Sequence, residues 1–270
     1  MSKTGAPARE LKELLQTLLP AQEKYPPVIL QEEQEAKLDI LRASGSPEHF
    51  HFVFDLLGCK LEGVYGVDKA LGYPDKEFTV SRYLSCVHPG QSIQFNMIAH
   101  AMYHLLCRGV FKLHFLTDSY ISLVALRHYS GDYYVFKKTT SIFQYDAKNR
   151  LLSQLNEFTR VDVYEHSPLK PRILEMAGMQ REEFENRVFA MTFKSFAAKK
   201  FFSGRQLEVL RYYAADASVT TRRLADLLEV GTNTINTYNK RILVKAKEIF
   251  SHPFSEARDV ASYLRKERIL

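Results

Sequence analysis

SGRQLEVLRYYAADASVTTRRLADLLEVGTNTINTYNKRILVKAKEIF, residues 203–250, reads as three helices in succession. Ser203 followed by Gln206 is a capping box, a hydroxyl and an amide three residues apart that satisfy the first free N–H groups of a helix. Leu207, Leu210 and Ala214 then share one face. A second helix begins near Thr221 with Leu224, Ala225 and Leu228 turned inward, the turn Glu229-Val230-Gly231 follows, and a third helix starts near Thr232. Ile235, Ile242 and Ala246 give that helix its core face. Two helices cross steeply over a short turn only where a small residue lets their backbones approach, and Ala225 supplies it.

The third helix has an informative opposite face. At about 100° per residue, with Ile235 inward, Asn233, Asn236, Thr237, Lys240, Val244 and Lys247 point away from the core. That face is expected to be free of carboxylates, and its amide, hydroxyl and ammonium groups suit base edges and phosphates in a major groove. The charge distribution agrees. Residues 199–270 hold 14 Lys or Arg against 8 Asp or Glu, while residues 1–198 hold 23 of each, so the whole net charge of +6 lies in the last quarter. Clustered positive charge is the footprint of a polyanion-binding module.

Upstream the pattern changes. Residues 1–44 give two helical stretches broken at Pro26 and Pro27, the first with an apolar stripe of Leu11, Leu14, Leu15, Leu18 and Leu19. That stripe packs on the chain's own core or on a second copy. From Phe50, HFHFVFDL alternates as a half-buried strand does, and KLEGVYGV continues after a turn at Gly58. Short helices follow around Lys69 and Arg82, then a longer one from about Ser92 to Cys107. Further strands are predicted over Tyr120–Tyr129, Tyr133–Phe143 and Leu151–Tyr164, with hairpin turns at Ser130-Gly131-Asp132 and Asp146–Asn149. The pattern is α+β with a single antiparallel sheet. Residues 167–200, opening on Pro168 and Pro171 and helical in period from Arg181, read as a helical linker or a cap on the sheet.

Two stretches carry family resemblances. ALGYPDKEFTVSRYLSCVHPGQ (70–91) and GDYYVFKKTTSIFQYDAKNRLLSQLNEFTRVDV (131–163) resemble a PAS domain, although Gly90-Gln91 stands where acidic residues usually follow His88-Pro89. Phe201 to Leu270 resembles the LuxR/NarL-type DNA-binding domain, with SEARDVASYLRKERIL similar to that family's fourth helix. The resemblance implies that the third helix enters the major groove, with Asn236, Thr237 and Lys240 facing bases and Thr232 and Asn233 at its start. The fourth helix supports dimerisation in such proteins. This chain departs from the pattern in a longer turn around Asp216 to Val219, in Arg223 before Leu224, and in Asn236 where a Lys is common. Phosphate contacts are therefore assigned to Arg222, Arg223, Arg241 and Lys245.

The expected organisation is an N-terminal helical segment (1–47), a PAS-like sensor or dimerisation domain (48–166), a helical linker (167–200) and an all-α LuxR-type helix-turn-helix domain (201–270). The expected function is sequence-specific binding of double-stranded DNA by a homodimer, under control of a ligand or partner at the PAS-like domain. A small molecule held between sheet and helices and an empty, partner-binding PAS domain are equally open. Two alternatives are a sigma-factor-like polymerase recruiter and a module whose C-terminal helices bind protein.

Other chemistries find little support. GxxxxGK[ST], GxGxxG and GxSxG are absent, so neither an enzyme nor a nucleotide site is expected. His100, His104 and Cys107 fall on one helical stripe, yet solvated or core histidines are commoner than ligands; no metal and no cofactor are predicted. Cys59, Cys86 and Cys107 lack the spacing of a disulfide framework. No apolar run is long enough for a membrane span, and MSKTGAPARELKELL lacks the apolar core of a signal peptide, so the expected location is cytoplasmic.

Overall fold

A computed structural model describes residues 6–165, 172–175, 180–267 and 269–270. They fall into two compact units: the residues up to His88 with Ile98–Val188, and Pro89–Met97 with Phe189–Leu270. The fold class is mixed, an antiparallel sheet with helices in the first unit and helices throughout the second.

In the first unit α1 (Ala6–Leu18) and α2 (Gln31–Ala43) precede strands β1 (His49–Asp55) and β2 (Lys60–Tyr65). Then come α3 (Val67–Leu71), a 3-10 turn at Asp75–Glu77, α4 (Val80–Cys86) and α5 (Pro89–Leu106), the last belonging to this unit from Ile98 onward. Strands β3 (Ser119–Arg127), β4 (Tyr133–Tyr145), β5 (Leu151–Val163) and β6 (Arg172–Glu175) complete a sheet of order β2-β1-β5-β4-β3-β6. Every pairing between these strands is antiparallel. The hairpin from β4 to β5 closes on Asp146, whose carboxylate accepts the N–H groups of Lys148 and Arg150 at 2.9 Å while Asn149 takes a φ of 57°.

One sheet face is aromatic. Phe50 stacks on Phe158 with centroids 4.3 Å apart, and Phe52, Phe78, Phe136 and Tyr83 close around them. The other face packs Val53, Phe143 and Leu155 against Leu38 and Leu41 of α2. This corrects the reading of β1 as half-buried: residues 50–54 are all buried, because α2 covers the side that alternation assigned to water. The leucine stripe of α1 is spent within the unit as well, with Leu11, Leu15 and Leu19 buried.

A second difference concerns residues 167–200, read as a helical linker. Residues 172–175 form β6, which pairs with β3 at Ile121↔Arg172 and Tyr120↔Ile173. Helix α6 (Gln180–Ala198) follows, and Pro168 and Pro171 lie outside the described residues. Four extended residues flanked by proline are too short for periodicity to reveal, and the free edge of β3 makes them a strand.

The second unit holds α7 (Gly204–Ala215), α8 (Thr221–Leu227), α9 (Thr232–Phe250) and α10 (Ala257–Lys266). Leu210, Leu224, Ile235, Ile242, Ala246, Val260 and Leu264 are wholly buried in its core. Ile93 and Met97, from a stretch assigned by sequence to the sheet domain, also pack on this core, and the Gln94 amide donates to Glu267. The extended turn before α8 is clamped by α10: Arg258 donates to the Val219 carbonyl at 2.8 Å and Arg265 to the Ala214 carbonyl at 2.6 Å.

Candidate nucleic-acid interface and inner pocket

Helix α9 is fixed from beneath. Its underside residues Ile235, Ile242 and Ala246 are inaccessible to solvent, and burying such side chains contributes roughly 1.5–3 kcal/mol each for the larger ones. The turn from α8 is closed by the Val230 N–H donating to the Ala225 carbonyl at 3.0 Å. Glu229 adopts a left-handed φ of 53° there, and Gly231 caps α9. The rotation of the helix is set by Asn239, whose amide donates to the Tyr213 hydroxyl at 3.0 Å, while the Arg258 guanidinium lies over the Tyr213 ring. The capping box at Ser203 is present in both directions.

So held, α9 turns Thr232, Asn233, Asn236, Thr237, Lys240, Arg241 and Lys245 to solvent, and Arg222 and Arg223 of α8 are exposed too. Arg222, Arg223, Lys240 and Arg241 form no ion pair among the described residues, which leaves their charge available to an external anion. The Thr237 hydroxyl donates to the Asn233 carbonyl at 2.9 Å, so toward a ligand it acts as an acceptor with its methyl group alongside.

The exposed face is not wholly free of carboxylates. Glu248, in the last turn of α9, is exposed and pairs with Lys245 at 3.1 Å. From Thr232 to Lys247 the helix holds no acid, so the correction moves the limit of the basic ridge to its C-terminal end. Lys245 must leave Glu248 to meet a phosphate, at a cost below about 1 kcal/mol for an exposed pair.

The first unit has a feature that sequence reading missed. Ser122, Lys138, Thr140, Gln154 and Asn156 line the aromatic side of the sheet and are buried. Cross-strand register places Ser122 opposite Lys138 and Thr140 opposite Asn156, where the Thr140 hydroxyl meets the Asn156 side-chain oxygen at 2.9 Å. The Tyr103 hydroxyl donates to Gln154 at 3.2 Å. Burial pushes the Lys138 ammonium down to about 7, and the Ser122 hydroxyl has no partner among the described groups. Beside this belt Asp118, Tyr120, Thr140 and Gln154, with Met102, Leu106 and Phe184, enclose a cavity of about 20 Å³, room for one water molecule. The signal was present in the sequence as polar residues in phase with Phe136 and Phe158, but the strands' aromatic load masked it.

The histidine stripe of α5 does not gather a ligand set. The Cys107 thiol faces the Leu151 carbonyl at 3.7 Å and burial raises it to about 12, and among the described residues no three His, Cys, Asp or Glu side chains converge as metal ligands would. The three cysteines are unbonded to one another, and no described helix is long and apolar enough to cross a membrane.

No family model matches the chain, and no curated protein matches it at a significant level. Among solved structures, a sensory box histidine kinase/response regulator from Burkholderia thailandensis E264 is 15% identical over 46% of this chain and 84% of that one, with a TM-score of 0.34. A phage VqmA–DPO complex is 12% identical over 87% and 91% of the two chains, with a TM-score of 0.30. SdiA in complex with octanoyl-rac-glycerol is 13% identical over 99% and 96%, with a TM-score of 0.23.

Proposed function

We propose that the chain is a cytoplasmic, sequence-specific DNA-binding transcriptional regulator and not an enzyme. Its helix-turn-helix is α8 and α9, with α9 lying in the major groove. The observation that carries this is the ridge of Asn233, Asn236, Thr237 and Lys240, exposed to solvent above an underside that is wholly buried. Amides read adenine edges, ammonium groups read guanine or phosphate, and the flanking Arg222, Arg223 and Arg241 grip the backbone. A homodimer would set two such helices into half-sites about 34 Å apart. Control by a ligand or partner at the PAS-like unit is supported by the buried Ser122 hydroxyl, which has no partner among the described groups and is costly to bury unless something satisfies it.

The test is selection of bound fragments from genomic DNA, followed by gel shifts with the Asn236→Ala, Lys240→Ala double variant. That variant should keep its helical content and lose preference for the selected site over random DNA by at least tenfold. Retained preference refutes the role of α9. One observation favours a second reading, in which the C-terminal helices bind protein: Val244 is 61% exposed on the outward side of α9, and Leu227 of α8 is 39% exposed. Absence of any salt-dependent gel shift would turn the assignment toward it.

A further inference from the structure

A cleft in the first unit shares no lining residue with the inner pocket. It holds about 800 Å³ and is lined by Lys60, Leu61 and Val64 of β2, by Arg9 and Lys12 of α1, and by Lys76, Phe78 and Val80. The interior is aliphatic and aromatic, while the rim is cationic. Its one carboxylate, Asp75, is committed to the backbone N–H groups of Gly66 and Asp68, each at 3.0 Å. Arg9 and Lys60 have acidic neighbours in Glu13 and Glu62, whereas Lys12 and Lys76 form no ion pair among the described residues. Beside this cleft β2 ends the sheet, with no strand on its outer side among the described residues.

We infer that the cleft docks an acidic, extended segment of a partner protein, which adds to the outer edge of β2. Extended backbone supplies the hydrogen bonds that a terminal strand lacks, and alternate side chains fall into pockets on the two sides. The rim selects negative charge and repels a second copy of the same cleft. The geometry also limits the contact. Register with β1 is regular at Lys60, Leu61 and Glu62, then slips where β2 inserts an extra residue and Gly63 takes a φ of 55°. Such a bulge bends the edge away after about three residues, so a short strand can pair while open-ended stacking cannot.

The test uses full-length protein and fluorescein-labelled Asp-Val-Glu-Val-Asp-Val-Glu, read by fluorescence anisotropy. Saturable binding is expected, with at least a tenfold loss for the Lys12→Glu, Lys76→Glu double variant and for the same peptide N-methylated at alternate amides. The double variant should melt and shift DNA as the parent does, which separates this site from α9. No saturable binding, equal binding of a Lys-for-acid peptide, or unchanged affinity of the N-methylated peptide each overturns the proposal. Displacement of the labelled peptide by a single-stranded thymidine 20-mer would assign the cleft to nucleic acid and overturn it as well.

Discussion

His51 shows what a single position in this fold costs. Its ring is fully buried on the sheet face beside α2, neither nitrogen has a partner, and Tyr65 lies against it at 5.5 Å. Burial, with His49, Arg42 and Lys37 nearby, pushes it down to about 4, and the Glu157 carboxylate opposite it in register is paired with Lys37. The folded chain therefore binds fewer protons than the unfolded chain between about 4 and the ordinary 6.5. The neutral ring's contribution is fully present above 6.5 and is lost as pH falls through that window, on the order of 2–3 kcal/mol in all. Urea unfolding at pH 7.5 and pH 4.5 should show that loss, and His51→Phe should reduce it; an equal pH dependence in the variant would show that other groups carry it. Glu229 is the converse case, a side chain held at a φ that favours glycine. Glu229→Gly should raise stability by about 0.5–1 kcal/mol in thermal or urea melts, and a decrease would mean that the glutamate makes contacts outweighing its strain.

Among elements, those with a strong internal rhythm were the legible ones. Helix α9 announces itself through Ile235, Ile242 and Ala246 at core spacing, and α7 through Ser203 and Gln206, because these signals are local and independent of what lies nearby. Removing the cap should show its worth: Ser203→Ala is expected to cost about 0.5–2 kcal/mol, measured as a lowered urea midpoint with unchanged slope. A loss under 0.2 kcal/mol would mean that water replaces the hydroxyl. What could not be read was decided by partners far along the chain. Alternation in β1 predicts one wet side, but α2 arrives to cover it; the polar belt is visible only once β3, β4 and β5 are laid in register. The long turn before α8 looked like a departure from a familiar pattern, and the structure gives it a keeper in Arg258, which no spacing rule links to Val219.

At the scale of the whole molecule, charge and site coincide in the last quarter of the chain. If Arg222, Arg223, Arg241 and Lys245 each neutralise one phosphate, the logarithm of DNA affinity should fall with the logarithm of salt at a slope of about −3 to −4 per subunit. Gel shifts or anisotropy from 50 to 300 mM salt measure it, and a slope near zero would remove the duplex from consideration. The division into a sheet-bearing part and a helical part was readable in outline, since the change from period 2 to period 3.6 is written in the residues. Its fine boundaries were not, because Ile93 and Met97 owe their place to a hydrophobic core assembled from residues a hundred positions later.

The short strand β6 has a practical consequence. Since Arg172–Glu175 shields β3, a fragment ending at Val163 would expose a raw flank of amides and carbonyls and should self-associate at high concentration. A fragment carried through Glu175 would keep that flank sealed.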